Sequence, residues 1–160
     1  GIPVMGHLGF TPQSVHGLGG TRVQGRNAQE AARLVNDSLA LERAGCFSLV
    51  LEMVPSTVAK IITERLHIPT IGIGAGNACD GQILVTDDLL GKYTDFQPRF
   101  VRRYADLAQT CTDAIANYAK DVLNQEFPNA SESFPFAQDE EEELMELIGA
   151  ASASQGELTC

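Results

Sequence analysis

Four short, nearly unbroken apolar runs limit what this chain can fold into: Ile2–His7, Phe47–Leu51, Thr70–Ile73 and Gln82–Thr86. They do not alternate apolar with polar, as strands of a one-sided sheet do. Runs of this kind suit parallel strands covered on both faces. Between the first two lies a helical pattern. Asn27 is a good N-cap, and Glu30 is placed to close a capping box. Ala28, Ala32, Val35 and Leu39 repeat along one helical face, and Gly45 ends the segment. Ser56 is expected to cap a second helix with Val58, Ile61, Ile62 and Leu66 inside, and Pro69 separates it from the third run. The order is therefore β-loop-α-β-α-β-loop-β-α. Two parallel α/β architectures fit it, a doubly wound open sheet and a (β/α)₈ barrel.

The connections carry their own information. Leu8 to Arg26 is a long loop holding Pro12, Gly17, Gly19, Gly20 and Gly25, and long ordered loops in compact domains are often functional. Gly72-x-Gly74-x-Gly76 resembles a nucleotide-binding turn, but it lacks the third glycine at the fingerprint spacing. It also leads through a short loop to a strand, where the fingerprint needs a helix. After Pro98 a long amphipathic helix is expected, with Phe100, Tyr104, Leu107, Cys111, Ile115, Tyr118 and Val122 along one stripe. Such a stripe is usually core, and part of it could serve as a subunit interface. From about Asn129 the chain is Ser-rich, then acidic from Asp139 to Glu143, with one short helix around Leu144, Leu147 and Ile148.

Charge divides the chain in two. Residues 1–125 hold twelve acidic and eleven basic groups, whereas residues 126–160 hold nine acidic groups and no basic one. We read 1–125 as a folded body and 126–160 as a flexible, loosely attached acidic tail. No basic surface for a nucleic acid is visible, and no apolar run is long enough to cross a bilayer. The spacings of Cys46, Cys79, Cys111 and Cys160 match neither a zinc site nor a redox pair. Cys46 and Cys111 fall on apolar stripes and read as core residues. A reducing, intracellular compartment (cytoplasmic or mitochondrial) is the simpler expectation. The chain opens on an apolar run without a targeting signal, as though cut from a longer one.

In parallel α/β folds chemistry gathers at the C-terminal ends of strands. His7, Glu52, the Gly74–Gly76 turn and the pair Asp87-Asp88 occupy those ends. Glu52 lies between Leu49-Val50-Leu51 and Met53-Val54-Pro55. Apolar flanks strip water from a carboxylate and disfavour its charged form, which suits a general acid/base near neutral pH. A structural carboxylate bonded to loop amides fits the same position. His7 could hydrogen-bond a substrate carboxylate or keto oxygen, or be satisfied by loop carbonyls. Asp80, Asp87 and Asp88 are conceivable Mg²⁺ ligands. A turn role for Asp80, beside Gly81, and helix capping for the other two are the commoner uses.

Gly6-His7-Leu8-Gly9-Phe10-Thr11-Pro12-Gln13-Ser14, Gly19-Gly20-x-x-Val23-Gln24-Gly25-Arg26, Leu49-Val50-Leu51-Glu52-x-Val54-Pro55, and Ile71-Gly72-Ile73-Gly74-Ala75-Gly76-Asn77 with Cys79-Asp80-Gly81-Gln82-Ile83-Leu84-Val85 together resemble the ketopantoate hydroxymethyltransferase family. The likeness is dense from Gly1 to Gly91, weaker along the long helix, and visible again from Phe127-Pro128 to Phe134, while residues 137–160 show no counterpart. It implies a (β/α)₈ TIM barrel of which this chain supplies the equivalents of strands 5–8, plus a C-terminal helix and the acidic tail. It implies hydroxymethyl transfer from 5,10-methylenetetrahydrofolate to 3-methyl-2-oxobutanoate, giving 2-dehydropantoate in pantothenate biosynthesis. It implies Glu52 as the catalytic carboxylate, His7 as a substrate-binding residue, Mg²⁺ as cofactor and a homo-oligomer of the full-length protein. The metal ligands would lie on the four strands this chain lacks, so the chain would be incomplete for catalysis alone. Two further readings are a non-catalytic half-barrel that pairs through its open edges, and a related barrel, such as a lyase, acting on another 2-oxo acid.

Overall fold

The computed structural model describes residues 1–17 and 19–155. Cys160, and with it the end of the acidic tail, lies outside the described residues. Two units emerge along the chain, Gly1–Ala108 and Gln109–Cys160.

The first unit is built on four parallel strands, β1 (Met5–Gly9), β2 (Ser48–Glu52), β3 (Thr70–Ile73) and β4 (Gly81–Gln82), which lie side by side in chain order. Met5 pairs with Ser48, Leu49 with Thr70, and Ile71 with Gly81. Helix α1 (Ala28–Arg43) links β1 to β2, and α2 (Ser56–Thr63) links β2 to β3. The link from β3 to β4 contains no helix. A doubly wound sheet reverses its strand order at a switch point, and this sheet has no reversal.

Helix α1 starts as its sequence suggests: the Asn27 side chain accepts from the Glu30 N–H at 2.9 Å. The return bond is shifted by one residue, because Glu30 accepts from the Arg26 N–H rather than from that of Asn27. Helix α2 differs as well. Ser56 is its first residue, not its cap, and the carbonyl of Pro55 receives the N–H groups of Val58 and Ala59.

The core lies on the helix side of the sheet. Leu49, Leu51, Val54, Ala59, Ile62, Ala75 and Val35 form one buried cluster. Leu49 and Leu51 are two residues apart and so share a face. By alternation the opposite face carries His7, Val50 and Glu52, which are only half-buried, and Met5, which is 47% exposed. Ser48 and Ile73 on that same face are buried, so among the described residues its cover is partial where full cover was expected.

Carboxylates tie the loops beneath the sheet. Glu42 on α1 accepts from the N–H groups of His67 and Ile68. The His67 bond above all holds its pKa below the usual carboxylate range. Asp80 accepts from the N–H of Thr70 at 2.8 Å and from its hydroxyl at 3.0 Å.

Several elements depart from the sequence pattern. The first strand is Met5–Gly9 rather than Ile2–His7, because its partner β2 starts only at Ser48. β4 stops at Gln82, and a short helix, α3 (Thr86–Leu89), takes over where a strand was expected to Thr86. Phe100 to Asp106 is not helical. Val101 is buried and the Tyr104 N–H donates to Leu89 C=O, so tertiary contacts hold this stretch irregular.

The long helix, α4 (Leu107–Leu123), runs on into the second unit. Its stripe is not core: Cys111 is exposed, as are Ile115 at 68%, Tyr118 at 58% and Val122 at 43%. Cys46, by contrast, is buried as expected. Within the second unit Tyr118 packs edge-on against Phe127, 5.4 Å between ring centroids. A 3₁₀ turn at Ala130–Glu132 has a complete capping box on Asn129. Helix α5 (Gln138–Gln155) is 18 residues long, where a single short helix was expected. Asp139, Glu140 and Glu141 fill its first turn, where the helix dipole favours negative charge.

Candidate active site at the mouth of the sheet

β1 and β2 end together, with Gly9 opposite Glu52. Since His7 pairs with Val50, the alternation of strand side chains puts His7 and Glu52 on the same face. There the two meet: His7 Nε2 lies 3.1 Å from Glu52 Oε2. The His7 side chain is 34% exposed and that of Glu52 is 17% exposed, so the carboxylate is largely withdrawn from water while the imidazole faces it. A carboxylate and an imidazole within hydrogen-bond reach can share or relay one proton. The sequence suggests each residue separately, and the fold brings them into contact.

The backbone around Glu52 is fixed from several directions. Its carbonyl accepts from the Phe10 N–H at 2.8 Å. Gly9, at φ 92°, passes so close that any Cβ there would collide with that carbonyl. The next residue, Met53, also has a left-handed backbone, at φ 50°. That conformation costs a non-glycine residue on the order of 1–2 kcal/mol. The Met53 N–H donates to Ile73 C=O, and the Met53 C=O accepts from the Gln24 N–H, both at 2.9 Å. Sequence reasoning misses Met53, Gln24 and Phe10. The available signal was the broken alternation of Leu51-Glu52-Met53-Val54, in which two apolar residues follow the glutamate in succession.

The remaining candidates go elsewhere. The Gly74–Gly76 turn closes over neighbouring elements: a Cβ on Gly74 would meet the Phe100 ring, and one on Gly76 would meet Ser56 at the start of α2. Asp87 and Asp88 sit in the first turn of α3, and Asp87 lies 3.6 Å from the Lys92 ammonium. Asp80 holds Thr70 at the far, N-terminal end of β3. Among the described residues no three His, Cys, Asp or Glu side chains gather to hold a metal ion. The donors present do not fit a Mg²⁺ site by themselves. A hollow of about 490 Å³ runs past His7, between Leu8 on β1 and Asp37, Ala40, Leu41 and Ala44 of α1 and its end. Another, of about 250 Å³, lies between α1 and α2, away from the carboxylate.

The family model described as "Ketopantoate hydroxymethyltransferase" matches residues 1–130. The chain belongs to the ketopantoate hydroxymethyltransferase family. Its relatives include the 3-methyl-2-oxobutanoate hydroxymethyltransferase of Nitratidesulfovibrio vulgaris, 61% identical over 134 residues, covering 84% of this chain and 44% of the relative. The protein of the same name from Chloroflexus aurantiacus is 58% identical over 133 residues, 83% of this chain and 47% of the relative. That from Roseiflexus is 55% identical over 152 residues, 95% of this chain and 54% of the relative. This last match reaches into residues 137–160, where the motifs alone show no counterpart. The chain spans about half the length of the curated relatives it matches. His7 and Glu52 both lie in the region the family model covers.

Proposed function

We propose that this chain is one half of a (β/α)₈ barrel that transfers a hydroxymethyl group from 5,10-methylenetetrahydrofolate to 3-methyl-2-oxobutanoate. Glu52 is the base and His7 the substrate-positioning residue. The observation that carries this is the 3.1 Å contact between His7 and Glu52 at the C-terminal mouth of two neighbouring parallel strands. The unreversed order of the four strands supports an arc of a barrel over half of a doubly wound sheet. The relatives' printed name supports the substrate.

The first step is removal of the proton at C3 of the oxo acid. The C–H bond breaks, the proton passes to a Glu52 carboxylate oxygen, and the electron pair becomes an enolate. Water opens one C–N bond at the folate's methylene carbon and supplies the hydroxyl oxygen, and C3 of the enolate bonds to that carbon as the second C–N bond breaks, releasing tetrahydrofolate. Glu52, 17% exposed, lies within reach of a bound acid at the mouth of the sheet. His7, at the open side, is placed to donate a hydrogen bond that orients the acid. The Mg²⁺ implied by family membership would supply charge stabilisation for the enolate, held by residues beyond this chain.

A chimera tests the reading. This chain replaces the matching segment of the Nitratidesulfovibrio vulgaris relative, and exchange of the C3 proton of 3-methyl-2-oxobutanoate into D₂O is followed by NMR. Glu52→Gln is expected to slow exchange by at least about 100-fold, with thermal unfolding unchanged. Exchange at the parent rate would remove Glu52 from its role.

A further inference from the structure

In an unbroken strand residues 51 and 53 would share one face, and 52 and 54 the other. Here Leu51 and Val54 both belong to the helix-side core, while Glu52 reaches His7 across the opposite face. The left-handed turn at Met53 breaks the alternation. It lets Val54 fall into the core and Pro55 cap α2 while the carboxylate stays at the mouth.

That turn is fastened at three points. The Met53 N–H is bound to the last carbonyl of β3, the Met53 C=O to the Gln24 N–H, and the Glu52 C=O to the Phe10 N–H. Gln24 and Phe10 lie at the two ends of the Gly-rich loop between β1 and α1, so this loop grips the peptide on both sides of Met53 N–Cα. A non-glycine residue held in a sparsely populated conformation, over-determined by its surroundings, is the form that stored strain takes at functional sites.

We propose that Met53 is a positioning residue, whose left-handed backbone, clamped by the Gly-rich loop through Gln24 and Phe10, aims Glu52 at His7. The proposal rests on Glu52 being the base. It is a claim about backbone conformation, so it orders substitutions by backbone preference and not by side-chain size or polarity. Gly and Asn enter the left-handed region readily, and β-branched Val and Ile do not.

The test uses two readouts. In the 160-residue chain, the ¹⁵N shifts of the His7 ring report whether the carboxylate stays against Nε2. Met53→Gly and Met53→Asn should keep the parent shifts, whereas Met53→Val should move them to those of Glu52→Gln. In the chimera, Met53→Val should lower kcat for C3 proton exchange at least about tenfold, as a small misplacement of a reacting group does. KM should stay unchanged and Met53→Gly should restore the rate. Where Met53→Val does not fold, Gln24→Pro removes the N–H that holds the Met53 carbonyl and carries the same expectations. Parent shifts and rates in both Val and Pro variants overturn the proposal. So does a series in which Val and Ile work and Gly and Asn fail. If Glu52→Gln leaves exchange intact while Met53→Val still moves the His7 ring, positioning stands and the assignment of the base falls.

Discussion

Single residues in this chain divide into those that serve the mouth and those that hold the frame, and carboxylates show the division best. Glu52 meets an imidazole in a half-buried site at the mouth of the sheet. Asp80 instead meets the N–H and hydroxyl of Thr70, which is fully buried at the start of β3. The backbone N–H bond above all, and then the hydroxyl, keep the Asp80 pKa below the usual aspartate range. A depressed folded-state pKa means that the ionised carboxylate contributes stability above its unfolded pKa. That contribution is lost as pH falls through the folded value. Asp80→Ala should therefore cost about 1–3 kcal/mol at pH 7, because it strands a buried N–H. The gap between parent and variant, followed by urea unfolding, should hold steady through neutral pH and shrink below about pH 4. A gap that widens on acidification would contradict the assigned role. The Asp-Gly turn was legible in the sequence. The partner of Asp80 was not, because it lies ten positions earlier, on a strand whose register only the sheet defines.

Elements were legible where local signals and packing agree. Helix α1 has its cap, its apolar face and its terminal glycine in sequence, and Asn27 caps it as read. Asn27→Ala should cost about 1 kcal/mol and Asn27→Gly only a few tenths. Matched denaturant curves would show it, and equal losses for the two would mean that the side-chain cap contributes little. β4 was read too long for a physical reason. Ile83-Leu84-Val85 has the composition of a strand, yet the ladder on β3 offers only Ile71 and Gly72 as partners, with one more bond from Ile83 N–H to Gly72 C=O. Ile83 and Val85 are 48% and 55% exposed, and the acidic pair that follows favours a helix start. α4 was read as starting too early because the periodicity of Phe100 and Tyr104 continues that of the helix. Backbone bonds from Tyr104, Leu107 and Ala108 back to Leu89, Leu90 and Gly91 decide the matter, and no single-sequence pattern reveals them. At the mouth, motif spacing marked Glu52 and His7. The left-handed turn that aims Glu52 depends on contacts from residues about thirty and forty positions away, Gln24 and Phe10.

The molecule as a whole presents surfaces that a finished domain would cover. Among the described residues β1 and β4 each have one neighbour, so two sheet edges are open. Ile2 is 90% exposed and Phe47 50%, and a hollow lined by Ala40, Leu41 and Ala44 runs beside the β1 edge. Open, apolar edges recruit further strands. The relatives are about twice as long as this chain, and a complete barrel has eight strands and about 250 residues. We therefore expect the isolated chain to associate with itself as its concentration rises. We also expect the rest of the relative's length, produced separately and mixed in equal amount, to convert it into a one-to-one complex. Sedimentation velocity across a hundredfold concentration range reads both. Met5→Lys, a charge on the β1 edge, should weaken both associations, since a lysine there opposes strand addition. A homodimer indifferent to the added segment would favour the assembly-module reading over the barrel. A monomer at every concentration that also ignores the added segment would mean that the edges are not docking surfaces. Formation of the complex together with recovery of Glu52-dependent proton exchange would tie the open edges and the candidate base to one barrel.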